Sequence, residues 1–167
     1  VLHGGTAIWR CYGGKRFSED LDFNLPNDRK KMEVLFENLK KAGFEIKKKK
    51  VSEKSIYSEL ELNRTMIRLE ATFQKIFGII CDYEMSDGNI VPVYSLTPES
   101  FLIEKSRTYL KRFKIRDLWD VFFLLKLVGN SKAIKEIGSL IKNYKKPIDE
   151  EDLKIILLEG IVPSAKE

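Results

Sequence analysis

The chain has 167 residues, of which 43% are hydrophobic and 33% are charged, and its formal net charge at pH 7 is +5. These values are typical of a folded domain with a hydrophobic core and exclude a disordered chain. The sequence shows neither an apolar run that could span a membrane nor a signal peptide, and Cys11 and Cys81 lie in no metal-binding motif, so we expect a cytoplasmic protein without a zinc site.

The first predicted elements lie around two glycines. Residues 1–3 are interpreted as the end of a strand and residues 6–12 as a short helix, with Gly4 and Gly5 at the turn between them. The backbone N–H groups at the start of a helix have no partners within it, so they attract phosphate. We therefore expect Gly4, Gly5 and the hydroxyl of Thr6 to bind phosphate, although a tight corner without a ligand would also need glycines.

Two acidic residues follow on the next predicted strand. Leu21, Phe23 and Leu25 alternate with polar residues, which predicts a strand with one apolar face. Asp20 and Asp22 then lie side by side on the opposite face. Neighbouring carboxylates repel each other unless a cation lies between them, and a hard divalent metal often has that role. The alternative interpretation is a strand face that is simply exposed to solvent.

The middle of the chain is predicted to contain one helix and several strands. Asp28 is a suitable N-cap for a helix from about residue 29, which Gly43 ends. Alternating apolar residues and turn signals predict strands at 44–50, 55–63, 65–73, 81–84 and 90–93. Within the first of these strands, residues 47–50 are four lysines, which fit a solvated strand end or a contact with a nucleic-acid backbone.

The chain changes character at Thr97, where a Thr-Pro-Glu sequence signals the start of a helix. Helices are predicted at about 98–112, 116–128, 131–144 and 149–159. Because the strands come first and the helices last, we predict an α+β fold. We expect a sheet core at residues 1–96 and a C-terminal helical part at residues 97–167, packed together as one compact unit.

Two blocks of sequence resemble a known family. Gly-Gly-Thr at 4–6, followed after the spacer 7–19 by Asp-Leu-Asp-Phe at 20–23, is similar to the signature of polymerase-beta-type nucleotidyltransferases. The whole segment GGTAIWRCYGGKRFSEDLDF resembles one branch of them, the AbiEii/AbiGii-type toxins of toxin–antitoxin systems. Residues 105–112 and 115–120 resemble that branch's Lys-x-x-Ala-x-x-x-Arg and Arg-Asp-x-x-Asp motifs, with Thr108 in place of the alanine.

This resemblance implies a fold and an activity. The fold would be a nucleotidyltransferase-like mixed sheet with flanking helices, followed by the helical part. The enzyme would move a nucleoside monophosphate from an NTP to a hydroxyl with the help of two Mg²⁺ or Mn²⁺ ions, and the 3′ end of a tRNA is one acceptor that the resemblance suggests. A cognate antitoxin would be a partner. A protein hydroxyl as acceptor, or a binding module without turnover, are the rival interpretations.

The resemblance also implies a set of metal ligands. Asp20 and Asp22 match the acidic pair of the family, and a third acid is expected on a neighbouring strand. Glu70 fits this position best, because it lies in an otherwise apolar strand, and Asp82 and Glu84 are its rivals.

Two cations of the second block are expected to bind the triphosphate. Lys105 and Arg112 fall close together on a helical wheel, at the edge of the apolar stripe, so both can line a cleft. Lys105 would then be a catalytic residue as well as a nucleotide-binding one. Asp120 is expected to orient one of these two cations, and Asp117 is interpreted as a cap of the helix that follows.

One further cation stays open at this point. Arg16 either contacts the phosphate or forms a salt bridge with Glu19, and the sequence does not distinguish the two.

Overall fold

The computed structural model describes residues 1–129 and 134–159. In these residues, seven strands form one mixed sheet in the order β3-β4-β5-β2-β1-β7-β6. The strands are β1 (Leu2–His3), β2 (Asp20–Leu25), β3 (Glu45–Val51), β4 (Ser55–Leu62), β5 (Thr65–Phe73), β6 (Ile79–Glu84) and β7 (Ile90–Ser95). β2 runs parallel to β5 and antiparallel to β1, which is parallel to β7.

The helices of the described residues flank this sheet and follow it. They are α1 (Gly4–Tyr12), α2 (Arg29–Lys41), α3 (Pro98–Arg112), α4 (Ile115–Leu125), α5 (Ile134–Lys142) and α6 (Leu153–Ile156). None of them, in the part of the chain that the structure describes, is long and apolar enough to cross a membrane. The prediction of an α+β fold with a mixed sheet and flanking helices is confirmed.

Several helix ends differ from the prediction. α1 begins at Gly4 rather than after the glycines, and α4 ends at Leu125 rather than at residue 128. The predicted helix at 149–159 is a 3-10 turn at Glu150–Asp152 followed by the four residues of α6. Parts of the predicted helical region, residues 130–133 and 160–167, lie outside the described residues.

Tertiary hydrogen bonds explain why α6 is short. Leu157 forms a β-bridge with Arg16, and the backbone N–H of Phe17 donates to the carbonyl of Ile156. These partners satisfy backbone groups that would otherwise continue the helix. The C-terminal part of the described chain is therefore attached to the segment just before β2.

The core consists of two clusters of buried side chains. The first joins the β1–α1 corner to the later helices, and it includes Leu2, Ala7, Ile8, Phe101, Leu102, Tyr109, Val121, Leu124 and Leu140. The second lies between α2 and the strands β4 and β5, and it includes Met32, Phe36, Ile56, Leu60, Leu69 and Ala71. The first cluster thus contains side chains from the predicted sheet core and from the predicted helical part. It packs α3 against the corner that carries Gly4 and Gly5. The predicted division between residues 96 and 97 stays a prediction.

We predict that Phe101→Ala lowers the free energy of unfolding by about 3–5 kcal/mol, because it leaves a cavity in the first cluster. Phe101 is 0% exposed, whereas Phe77 is 86% exposed and serves as the matched control. Phe77→Ala should change stability by less than about 0.5 kcal/mol, as is usual for surface substitutions. Urea denaturation measures both values, and similar losses in the two variants would contradict the assigned core.

Candidate active site

The register of β2 and β5 brings the predicted acids together. Asp20 lies opposite Arg68, and Asp22 lies opposite Glu70. Paired residues of neighbouring strands point to the same face of the sheet, and all four side chains line one cavity of about 210 Å³. The rival acids of β6 lie at the far edge of the sheet, three strands from β2. The predicted role of the three carboxylates as metal ligands stays a prediction.

The lining of this cavity is almost entirely charged or polar. Five cations and three carboxylates contribute, together with Gly5 and Ser18; the cations are Arg16, Arg68, Lys105, Arg112 and Arg116, and the carboxylates are Asp20, Asp22 and Glu70. A volume of about 210 Å³ is below the roughly 300–1,000 Å³ of most small-molecule sites. The cavity therefore suits a charged group such as a phosphate chain better than a complete nucleotide.

The two glycines make room for side chains of the cavity. Gly4 has a φ of 75°, and a Cβ atom there would overlap the Oδ2 atom of Asp22. A Cβ atom at Gly5 would overlap the guanidinium of Arg16 and the hydroxyl of Ser18. Gly5 also lines the cavity itself. Glycine is thus required here for the close approach of functional side chains to the backbone.

The hydroxyl of Thr6 is engaged by the backbone of β2. Its hydroxyl donates to the backbone carbonyl of Asp20 at 2.5 Å, and the residue is buried and does not line the cavity. A hydroxyl has one hydrogen to donate, and phosphate oxygens need donors. Thr6 therefore holds the start of β2 in position, and its predicted role in phosphate binding stays a prediction.

A buried charge network stands behind the cavity. Lys105 Nζ lies 3.0 Å from Asp120 Oδ2 and 3.6 Å from Asp117 Oδ1. Arg16 donates to both oxygens of Asp120, at 2.6 and 2.7 Å, and Arg112 donates to both oxygens of Asp117, at 2.5 and 2.7 Å. The two aspartates are 0–1% exposed. Two cations of α3 and Arg16, from the segment before β2, are therefore held by two buried carboxylates.

This network answers questions that the sequence left open. Asp120 orients Lys105, as predicted, and its second partner is Arg16, which pairs with Asp120 and not with Glu19. Burial opposes the ionisation of Asp120, but the charges of Lys105 and Arg16 outweigh it, so the pKa of this carboxyl lies below its ordinary value.

Asp117 has a different role from the predicted helix cap. It lies inside the first turn of α4, where its carboxylate holds Arg112. The backbone N–H of Ile115, at the start of that helix, instead donates to the carboxylate of Asp149 at 2.7 Å. The capping residue thus comes from a segment more than 30 residues further along the chain.

Two carboxylates of the strands, those of Asp22 and Glu70, have no ion-pair partner among the described residues. Burial raises the pKa of Asp22, and the nearby charge of Asp20 adds to this effect. Burial likewise raises the pKa of Glu70, with further contributions from Asp22 and Asp20. No hydrogen bond from a described residue reaches the carboxylate of Asp22 or Glu70. These acids therefore carry unfavourable negative charge that a cation would relieve.

The residues fit a divalent metal that is shared with a ligand. Within residues 1–129 and 134–159, no three His, Cys, Asp or Glu side chains form a group that could hold a metal ion by itself, so the predicted three-acid site is not preformed. Mg²⁺, however, is usually held by one or two carboxylates and takes its other ligands from water and substrate phosphates. Asp20 and Asp22 would supply the carboxylates, and the adjacent cations would favour the phosphates.

Four residues of the cavity were not assigned to it from the sequence. Arg68 alternates with Glu70 on β5, so the same period-2 argument that selects Glu70 would also have selected Arg68. Arg116 follows the motif of Arg112 on the next helix, and Ser18 precedes the acidic pair. For Arg16, no local pattern indicates that its partner is Asp120.

The lysine run of β3 is mostly engaged within the protein. Lys47 pairs with Glu45 and Glu61, and Lys48 pairs with Glu59. Lys49 Nζ lies 4.0 Å from the centre of the Phe36 ring. These contacts favour the interpretation as a solvated strand over a contact with nucleic acid.

We predict that Asp120→Asn lowers the free energy of unfolding by about 3–5 kcal/mol, because it leaves buried cations without a full counter-charge. Asp82→Asn, at an exposed position of β6, is the control and should have almost no effect. The difference in free energy of unfolding between wild type and Asp120→Asn should shrink as the pH falls below 3.8. The pKa of Asp120 in the folded protein lies below that value, and the stabilisation is lost when this carboxyl is protonated. Urea denaturation at several pH values measures this, and a pH-independent difference would contradict it.

Gly4→Ala and Gly88→Ala should separate backbone strain from damage to the site. Both glycines have a positive φ, 75° and 82°, so either substitution should cost roughly 1–2 kcal/mol. Only the Cβ at position 4 meets Asp22, since nothing lies within 4 Å of one at position 88. We therefore expect Gly4→Ala alone to lose metal-dependent nucleotide binding, measured by calorimetry. Equal binding by both variants would contradict the role given to Gly4.

Comparison with known proteins agrees with the resemblance noted in the sequence. A protein-family model described as nucleotidyl transferase AbiEii toxin, type IV toxin–antitoxin system, matches residues 1–161. None of the curated proteins matches the chain. The match includes the strands that carry the acids as well as the helices that carry the cations. The chain belongs to the AbiEii nucleotidyl transferase toxin family of type IV toxin–antitoxin systems.

Proposed function

We propose that this protein is a metal-dependent nucleotidyltransferase that moves a nucleoside monophosphate from an NTP to a hydroxyl acceptor. The observation that carries this proposal is a single cavity in which three carboxylates from the sheet lie together with five cations, three of them from the helices. Phosphoryl transfer depends mainly on positioning and on stabilisation of charge, and this cavity offers both. Such a reaction needs metals and positioning more than it needs an acid–base pair.

Asp20 and Asp22 are the residues that would hold Mg²⁺ or Mn²⁺, with Glu70 beside them. When bound, the metal would neutralise phosphate oxygens and stabilise both the attacking and the departing oxygen. Glu70 lies next to Asp22 in the sheet, on the side of β4, where it adds negative charge that attracts the metal. Gly4 allows the Asp22 carboxylate to lie against the backbone at the start of α1.

The cations of the cavity would bind the triphosphate and the departing pyrophosphate. Lys105 and Arg112 are held by the aspartates of the buried charge network, so they are oriented before the nucleotide arrives. Arg116 lies on the same side, and within the described residues it forms no ion pair, so its guanidinium is free to bind phosphate. Their fixed orientation reduces the entropic cost of binding the triphosphate.

The charges of the site support the need for a metal. Five cations line the cavity; three carboxylates line it, and Asp117 and Asp120 are buried directly behind it. These five positive and five negative charges cancel. A triphosphate therefore finds too little net positive charge in the side chains alone, and divalent metal ions supply the remainder.

The nucleoside would lie outside this small cavity, so the phosphates carry most of the recognition there. The acceptor we propose is the 3′ end of an RNA such as tRNA, which the family resemblance suggests. Because the family belongs to a toxin–antitoxin system, a cognate antitoxin is its partner. The engaged lysines of β3 are not assigned to the RNA, and a protein hydroxyl is the alternative acceptor.

The experiment is a transfer assay with each labelled NTP, MgCl₂ and bulk tRNA, with and without a chelator. We expect label on the tRNA that is lost with the chelator. Label on protein instead of RNA would show that the acceptor is a protein hydroxyl, while the proposed transfer reaction would stand. No transfer to either, despite binding of the nucleotide, would overturn the proposed activity.

Variants of the same assay test the assigned residues. Asp22→Asn should abolish transfer and leave stability unchanged or slightly higher, because burial raises the pKa of Asp22 and its ionised form is unfavourable at neutral pH. Lys105→Ala should slow transfer and weaken NTP binding, and it should also lower stability because Lys105 is buried against two carboxylates. Arg107→Ala is the control, since Arg107 is 66% exposed on the same helix and pairs with Glu136. A large loss of stability in Asp22→Asn would instead indicate a structural role.

A further inference from the structure

One cation of the cavity is bound to a predicted metal ligand. Arg68 Nη1 lies 3.3 Å from Asp20 Oδ1 and 3.4 Å from Asp20 Oδ2. A single nitrogen thus faces both oxygens of the carboxylate. These are the atoms that a divalent metal would use, and two cations cannot approach the same carboxylate edge without repelling each other.

The contact between Arg68 and Asp20 is built into the sheet. Arg68 on β5 lies directly between Asp20 on β2 and Glu59 on β4 in the strand register. Glu59 already accepts a hydrogen bond from Tyr57 and contacts Lys48. Asp20 is the acidic neighbour with which Arg68 forms an ion pair.

Four cations of the cavity have an ion-pair partner, and Arg68 is the one that can move most easily. Arg16 and Lys105 are about 95% buried, and Arg112 donates two hydrogen bonds to Asp117. The side chain of Arg68 is 46% exposed, and its contact with Asp20 is long. It also borders a second hollow of about 180 Å³ beside the cavity, which gives it space to turn.

We propose that Arg68 competes with the divalent metal for Asp20 and thereby couples metal binding to nucleotide binding. A metal at Asp20 displaces the guanidinium, and the phosphates of a nucleotide are the acceptors that it then meets in the same cavity. Arg68 binds phosphate well because its planar fork matches phosphate oxygens. The cost of displacing Arg68 is therefore offset when the metal arrives together with a nucleotide, and it weakens the binding of the metal alone. This inference rests on the proposed function and adds selectivity for the metal–nucleotide complex over the free metal.

The test is calorimetric titration of Mn²⁺ into the full chain without nucleotide, in wild type and in Arg68→Gln. We expect Arg68→Gln to bind Mn²⁺ about threefold more tightly or better, the size expected when an exposed ion pair no longer has to be broken. The factor by which Mn²⁺ tightens binding of a non-hydrolysable NTP should fall in the same variant. Asp20→Asn should lose Mn²⁺ binding, which establishes that the titrated site includes Asp20.

Arg116→Gln is the matched control, because it also removes one positive charge from the cavity lining but touches no carboxylate in the described residues. It should weaken NTP binding and change Mn²⁺ affinity much less than Arg68→Gln does. An equal gain in Mn²⁺ affinity in both variants would overturn the proposed competition between Arg68 and the metal. It would show that only a long-range charge effect is present. An unchanged affinity in Arg68→Gln, or no Mn²⁺ binding in any variant, would overturn it as well.

This outcome is separable from that of the transfer assay. If Arg68→Gln binds Mn²⁺ more tightly but wild type transfers no nucleotide to any acceptor, the proposed activity fails and the competition at Asp20 stands.

Discussion

The two carboxylates of the buried charge network are the constraint on which the site depends. A buried charge must be paired, and the penalty for leaving one unpaired is several kcal/mol. Asp120 meets this requirement with Arg16, from the segment before β2, and with Lys105 of α3. The N-terminal segment and the helices must therefore dock in one arrangement, and that arrangement places both cations at the cavity.

The cavity lies where two opposite electrostatic surfaces meet. The sheet side is mainly acidic, since it contributes three carboxylates and one cation, Arg68, and burial and mutual repulsion make the charges of Asp22 and Glu70 unfavourable. The helix side contributes three cations, of which the network holds Lys105 and Arg112 in place. Such a site is close to neutral overall, but its charges are separated in space. It is suited to a ligand that is itself divided into positive and negative parts, as a metal-bound triphosphate is.

The backbone at the β1–α1 corner determines how closely these groups approach. Gly4 lets Asp22 lie against the start of the helix, and Gly5 does the same for Arg16. The hydroxyl of Thr6 then holds the carbonyl of Asp20, so the corner and β2 are connected directly. The motif therefore has a packing role as well as being a candidate phosphate contact, because a Cβ atom at either glycine position would overlap these side chains.

The sequence by itself determined the features that follow from local periodicity. Alternation along β2 and β5 placed Asp20, Asp22 and Glu70 on one face, and helical spacing placed Lys105 beside Arg112. Only the tertiary structure decided that Arg16 pairs with Asp120, 104 positions away, and that α6 ends where Leu157 meets Arg16. The reason is physical: periodicity and capping depend on neighbours in the chain, whereas the partner of a buried charge depends on which distant elements pack against it.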